Sequence, residues 1–419
     1  MADHTDHTVL DNVFQRFLEG SRIFKDRDVM RHDHVPERLP HREEQIRCFG
    51  EIVAPVLRGS RCSNVFIYGK TGTGKTAVVK FVLNKLAQRA RLFGAAVKVC
   101  YVNCRLAGTE YRVFSNLCEA FGSKVPFTGL AVGEVFDRFR ESLNLNKVFF
   151  IVVLDEIDAL IRARGDILLY ELTRINEDLC SSRTSIVGIS NDLRFKEFLD
   201  PRVLSSLSEE EIVFKPYDAA ELRDILLDRA GLAFQGDVLL EGTIDLCAAL
   251  AAAEHGDARR ALDLLRVAGE LAERKGSSMV VEDHIRQAER RIEHDRTMEA
   301  LKNLPLHSKL VMHSVYLLGK AKISSAVTGD ICEIYCELCD LSGLSPLTQR
   351  RVSTLINELD VIGLLNTRVV SMGRHGRTRK IRLSVTRSLI REVFASDDRL
   401  GCLIDYAPKC LSAISGSRG

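Results

Sequence analysis

The 419-residue sequence lacks any run of about 18 uncharged apolar residues, so no helix in it is built to span a membrane. Its first residues, MADHTDHTVLDNVF, lack the basic start and apolar stretch of a secretory leader. The expectation is a cytoplasmic protein whose twelve cysteines stay reduced. Internal repeats and low-complexity tracts are missing too. With 46% apolar and 28% charged residues, the chain has an ordinary globular balance and length for two or three domains. Cysteine spacing offers no zinc finger. Cys332, Cys336 and Cys339 stand four and three apart, one apolar face of a helix, and no histidine or fourth cysteine lies at a ligand-like distance.

An excess of one charge sign is also missing, with a net of only +2 over the whole chain. Affinity for nucleic acid must therefore come from a local patch. Residues 301–419 hold 17 Lys+Arg against 10 Asp+Glu, a balance of +7 that leaves −5 for the first 300. A nucleic-acid site is to be sought at the C-terminal end.

Among what is there, five strand-like runs (64–68, 97–103, 147–154, 185–190, 211–214) alternate with helical patterns, which predicts βαβ units and a parallel sheet. From 218 to about 292 the pattern is helical only. Asp218-Ala219-Ala220-Glu221 opens one helix as a capping box, and Gly256-Asp257 opens another. Residues 286–302 read as a charged connecting helix. Three helical segments follow, about 307–321, 328–341 and 346–360, then strand-like runs at 364–370 and 380–385 around a Gly/Arg-rich turn. The predicted fold class is α/β with a parallel sheet and flanking helices, an α-helical lid and a C-terminal winged-helix domain. The predicted divisions are a flexible arm (1–30), a nucleotide-binding domain (31–217), the lid (218–292), a connecting helix or linker (293–306), the winged helix (307–400) and a tail (401–419).

Gly69-Lys70-Thr71-Gly72-Thr73-Gly74-Lys75-Thr76 fits a phosphate-binding loop between a strand and the helix beginning near Ala77. Glycines let the backbone curl its N–H groups toward phosphate beside a helix N-terminus. Lys75 suits the β/γ-phosphates, and the Thr76 hydroxyl suits Mg²⁺. A fully apolar run, 149–154, ends on Asp155-Glu156. Asp155 at the strand end suits Mg²⁺, directly or through water, and Glu156 suits deprotonation of an attacking water. Two acids at a solvated strand end would mean little alone. Following a phosphate loop by 80 residues, they point to ATP hydrolysis. A third strand ends on Asn191, an amide placed to hold the lytic water, although asparagine at a strand end is often only a turn residue.

Several further stretches resemble the AAA+ initiator family, the archaeal origin-binding proteins related to the largest subunit of the eukaryotic origin recognition complex and to its Cdc-six loader. His34-Val35-Pro36-Glu37-Arg38-Leu39-Pro40-His41-Arg42-Glu43 looks like the family segment that packs on adenine. The segment beginning Tyr101-Val102-Asn103 looks like its second strand, the run from Leu199 through Arg202 to Leu207 its arginine-finger region, and Phe214–Tyr217 its approach to the lid. Gly256-Asp257-Ala258-Arg259 resembles the lid motif whose arginine reaches the γ-phosphate. The similarity covers about 34–385. It implies adenine contacts from Val35, Pro36, Leu39, His41, Arg42 and Tyr217, a sensing role for Arg259, and a role for Arg202 on a neighbour's nucleotide or at a lid contact. Arg260, beside Arg259, is the obvious confusion. The family's DNA-touching insertion falls within about 104–130, where only Arg105, Arg112 and Lys124 are basic.

The third helix of the C-terminal domain presents Thr348, Gln349, Arg350, Arg351 and Ser353 near its N-terminal end, as a recognition helix does. The turn that follows carries Arg374, His375, Arg377, Arg379 and Lys380; residues 370–382 hold five Lys/Arg and no acid. A solvated basic hairpin is the plain alternative to a DNA-contacting wing. Charge, glycines and preceding helices together favour DNA. The expectation is an initiator that uses ATP/ADP and Mg²⁺, binds duplex origin DNA and supports loading of the replicative MCM helicase, with paralogous initiators as further partners. Slow hydrolysis would act as a switch, and the protein would sit with the nucleoid. The alternatives are a RuvB-like DNA motor and a nucleotide-regulated transcription switch.

Overall fold

The computed structural model describes residues 20–31, 34–207, 209–323, 326–371 and 377–411. The chain divides into two compact units, Met1–Ala288 and Glu289–Gly419, with the boundary inside the helix Glu282–Lys302.

The first unit is built on a five-stranded parallel sheet: β1 (Asn64–Gly69), β2 (Val97–Asn103), β3 (Phe149–Asp155), β4 (Arg183–Ser190) and β5 (Glu209–Phe214). The strand order is β2-β3-β4-β1-β5. Two apolar clusters cover its two faces, which is why β1 and β3 read as unbroken apolar runs rather than alternating ones. Phe66, Phe150, Val152 and Leu154 pack on one side, and Val65, Ile67, Ile151 and Val153 on the other. In β4, Gly188 leaves room for Phe66: a Cβ there would lie 2.4 Å from the ring.

The lid follows as helices Ala219–Ala233, Thr243–Glu254 and Ala258–Arg274. The expected capping box is formed, with Asp218 accepting from the Glu221 N–H at 2.8 Å and Glu221 accepting from the Asp218 N–H at 3.0 Å. The flexible arm expected over 1–30 needs correction from Gly20 onward; residues 1–19 lie outside the described ones. Ile23, Phe24, Val29 and Met30 are buried against the lid. The Phe24 ring lies 4.7 Å from that of Phe234 and sits where a Cβ on Gly269 would go. Two short apolar pairs, Ile23-Phe24 and Val29-Met30, provide the burial that the polar surroundings concealed.

The second unit is a winged helix: helices Leu306–Lys320, Thr328–Leu341 and Gln349–Val361, then the antiparallel hairpin β6 (Leu365–Ser371) and β7 (Arg377–Leu383). Ala326 adds a one-residue bridge to Ile381. The cysteine face of the middle helix is split, with Cys339 buried, Cys332 half-buried and Cys336 exposed. The expected tail also needs correction. Residues up to 411 close the core, with Leu400, Leu403 and Ile404 buried. Glu337 accepts from the Tyr406 hydroxyl at 3.0 Å and from the Lys409 and Cys410 N–H groups at 2.9 and 3.0 Å.

Candidate functional site

The C-terminal edge of the sheet meets the lid in a cleft of about 690 Å³, within the roughly 300–1,000 Å³ usual for small-molecule sites. Its floor is the loop after β1. Gly72 and Gly74 take positive φ values of 71° and 88°, a region open to glycine at little cost. A Cβ on Gly72 would stand 1.7 Å from Asp257 Oδ1, and one on Gly74 would stand 2.7 Å from Tyr217 Oη. The loop then feeds the helix Lys75–Phe93, whose first N–H groups have no intrahelical acceptor and favour an anion.

Lys75 folds over the loop and donates to Gly69 O at 2.7 Å, Lys70 O at 2.6 Å and Asn191 Oδ1 at 2.9 Å. Burial lowers its pKa to about 8; nearby Asp155 opposes the shift and Arg259 adds to it. Asp155 ends β3, where Oδ2 accepts from the Thr76 hydroxyl at 2.9 Å and from the Tyr101 hydroxyl. Its Oδ1 accepts from the Glu156 N–H at 2.9 Å. Burial first, and then the bond to Asp155, push the Tyr101 phenol far up. Glu156 is half-buried with φ of 53°, a strained setting for a non-glycine residue and one common at functional sites. Arg105 lies 3.7 Å from its carboxylate. Asp158 Oδ1 accepts the Asn191 N–H at 3.2 Å, tying the end of β4 to the helix Ile157–Arg164 that follows the acidic strand.

From the lid, Asp257 caps the helix Ala258–Arg274, and the Ala258 N–H donates to Gly72 O at 3.1 Å. This contact aims Arg259 into the cleft. Arg260 is engaged elsewhere, donating to Glu254 at 2.9 and 3.0 Å, which separates the two neighbouring arginines. Apolar walls come from Val35, Pro36, Leu39, Ile225, Leu232 and Leu262. The buried Arg229 donates to Val29 O at 3.0 Å and His34 O at 3.2 Å, holding the N-terminal segment against the lid.

Lining the cleft are Val35, Pro36, Leu39, Thr71, Gly72, Thr73, Gly74, Lys75, Thr76, Ala77, Asp155, Glu156, Asn191, Tyr217 and Arg259. His41 and Arg42, expected on the nucleotide, are not among the residues that line the cleft. His41 bonds Asp224 at 2.9 Å. Arg42 is buried, stacks 3.6 Å over the Tyr217 ring and donates to Thr73 O and Lys215 O at 3.0 and 2.8 Å, so it braces the loop. Gly69 and Lys70 face the cleft only through their hold on Lys75. Arg202 is 81% exposed, pairs with Asp200 at 3.1 Å and does not line its own chain's cleft. Ile225, Asp228, Arg229 and Leu232 also line the cleft, and the sequence carries no local signal for them beyond their shared face on one lid helix.

The donor set fits the groups it suggests. Thr76 and Asp155 supply adjacent hard oxygens of the kind Mg²⁺ takes, and the glycines leave space that a side chain would fill.

In the second unit, Thr348 caps the third helix by accepting from the Arg351 N–H at 3.4 Å, leaving Gln349, Arg350 and Arg351 exposed at its first turn. Arg351 pairs with Glu358 at 3.3 Å, and Ser353 is half-buried. Arg379 donates to Asn357 on that helix, while Lys380 is exposed. Arg374 and His375 lie outside the described residues; Arg377 begins β7.

A phosphate loop, an acidic strand end, a polar strand end and a helical lid on this sheet order define an AAA+ ATPase fold, here followed by a winged helix. Family profiles match in three places: AAA domain over 58–194, Cdc6 AAA+ ATPase-type lid domain over 223–290, and CDC6, C terminal winged helix domain over 299–393. The ORC1-type DNA replication protein of Pyrococcus furiosus is 53% identical over 404 residues, 96% of each chain. ORC1-type DNA replication protein 1 of Sulfolobus acidocaldarius is 48% identical over 396 residues, 94% of this chain and 98% of that one. Among solved structures, the Aeropyrum pernix ORC1 protein in complex with DNA is 50% identical with a TM-score of 0.83, covering 92% of this chain and all of that one. The chain belongs to the ORC1-type family of DNA replication proteins.

Proposed function

We propose that the protein is an origin initiator that binds duplex origin DNA through its winged helix and uses ATP, with Mg²⁺, as a slow switch. The observation that carries the switch is the convergence of Lys75, Asp155, Glu156 and Asn191 from the sheet with Arg259 from the lid on one cleft. A cation on the lid and a cation on the loop both favour the same negative charge, so ATP strengthens the hold of the lid on the loop. Bound Mg²⁺, held by Thr76 and Asp155, would neutralise phosphate charge. Glu156 takes the proton from a water that Asn191 orients, and Arg259 senses the γ-phosphate. Arg202, free of its own cleft, acts on a neighbouring molecule.

DNA binding is supported by the exposed Gln349, Arg350 and Arg351, by the basic wing, and by the related Aeropyrum pernix protein, which was solved in complex with DNA. Base-edge contacts fall to Thr348, Gln349, Arg350, Arg351 and Ser353, and phosphate contacts to Arg374, His375, Arg377, Arg379 and Lys380. The ATP-bound form supports loading of the replicative MCM helicase, alongside paralogous initiators. Among the described residues no helix is long and apolar enough to cross a membrane. The switch is tested by steady-state hydrolysis with and without duplex DNA. A few turnovers per hour, little changed by DNA, is the expected result; rapid DNA-stimulated turnover by a ring assembly would replace the initiator with a motor.

A further inference from the structure

The end of β2 reaches the acidic strand in a way the phosphate-loop chemistry does not require. β2 is one of the two edge strands, paired with β3 in the register Tyr101↔Val153 and Asn103↔Asp155. From that edge the Tyr101 hydroxyl donates to Asp155 Oδ2, the oxygen that also accepts from Thr76 at 2.9 Å. The other oxygen, Oδ1, accepts the Glu156 N–H at 2.9 Å. The Tyr101 ring is itself held, with Lys80 Nζ 4.8 Å from its centroid and Lys80 lining the cleft.

Three donors thus fix both oxygens of one carboxylate. Thr76 has a second duty, because its hydroxyl oxygen is a candidate cation ligand. Tyr101 and the Glu156 amide have none, and each holds a different oxygen. A carboxylate gripped at both oxygens cannot rotate about its terminal torsion, which is otherwise broad. We propose that Tyr101 is a positioning residue for the divalent cation site, its hydroxyl holding the Asp155 carboxylate in the orientation that cation binding uses. This rests on the nucleotide and Mg²⁺ reading of the cleft. Outer partners of a ligating carboxylate typically contribute about 10–100-fold in metal affinity.

The test uses the full chain and calorimetric titration of ADP at a series of Mg²⁺ concentrations and in EDTA. It compares the wild type with Tyr101→Phe, which keeps the ring beneath Lys80 and removes only the hydroxyl. The expected result is an about ten-fold or greater rise in the Mg²⁺ concentration giving half the metal-dependent gain in ADP affinity, with unchanged affinity in EDTA. Equal Mg²⁺ requirements in the two proteins would overturn the assignment, as would an equal loss of affinity with and without Mg²⁺, the mark of a packing role. A wild type whose ADP affinity ignores Mg²⁺ would reject the cation reading itself, and this inference with it.

Discussion

Lys75 is buried beneath the loop it belongs to, and an ammonium in that position is stabilised only by the acceptors around it. Lys75→Ala is therefore expected to abolish nucleotide binding in a calorimetric titration. Glu156→Gln keeps the side-chain volume and removes the base, so it should bind ATP normally and stop phosphate release. Normal turnover in that variant would remove Glu156 from the proton-transfer role. These residues were legible in the sequence because a phosphate loop and an acidic strand end each have their chemistry within a few consecutive positions. Tyr101 was not, since its bond to Asp155 joins two strands and an aromatic in a strand looks like any other.

Elements that meet only in three dimensions were harder to read. The cleft walls come from the N-terminal segment, two lid helices and Tyr217, and each contributes apolar residues indistinguishable from core. Helix starts with capping side chains at Asp218 and Asp257 were legible, because the cap is local. Where loop and lid touch, Gly72→Ala places a Cβ against Asp257 at positive φ. The backbone term alone costs about 1–2 kcal/mol, so the variant should bind nucleotide more weakly while its winged helix still binds DNA. Within the winged helix, His313 is fully buried, with Nε2–H donating to Leu403 O at 3.0 Å and its ring stacked on Phe394. Burial lowers its pKa from 6.5 to about 4. The folded pKa lies below the unfolded one, so the contribution to stability is present above about pH 6.5 and is lost as pH falls toward 4. Thermal melts of His313→Gln should show a flatter acid dependence across that window than the wild type; parallel curves would contradict it.

Over the whole molecule, charge is divided, with +7 on residues 301–419 and −5 on the rest. Salt-dependent attraction to DNA is therefore expected from the C-terminal unit. Arg377→Ala should weaken binding about equally on all sequences and reduce the salt slope by about one; unchanged affinity would make the wing a protein-docking element. The most direct measurement is fluorescence anisotropy of the wild-type protein on fragments from its own origin region and on scrambled duplexes, each with ATP and with ADP. The account predicts nanomolar, sequence-selective binding that differs between the two nucleotides. Binding indifferent to both sequence and nucleotide would contradict it.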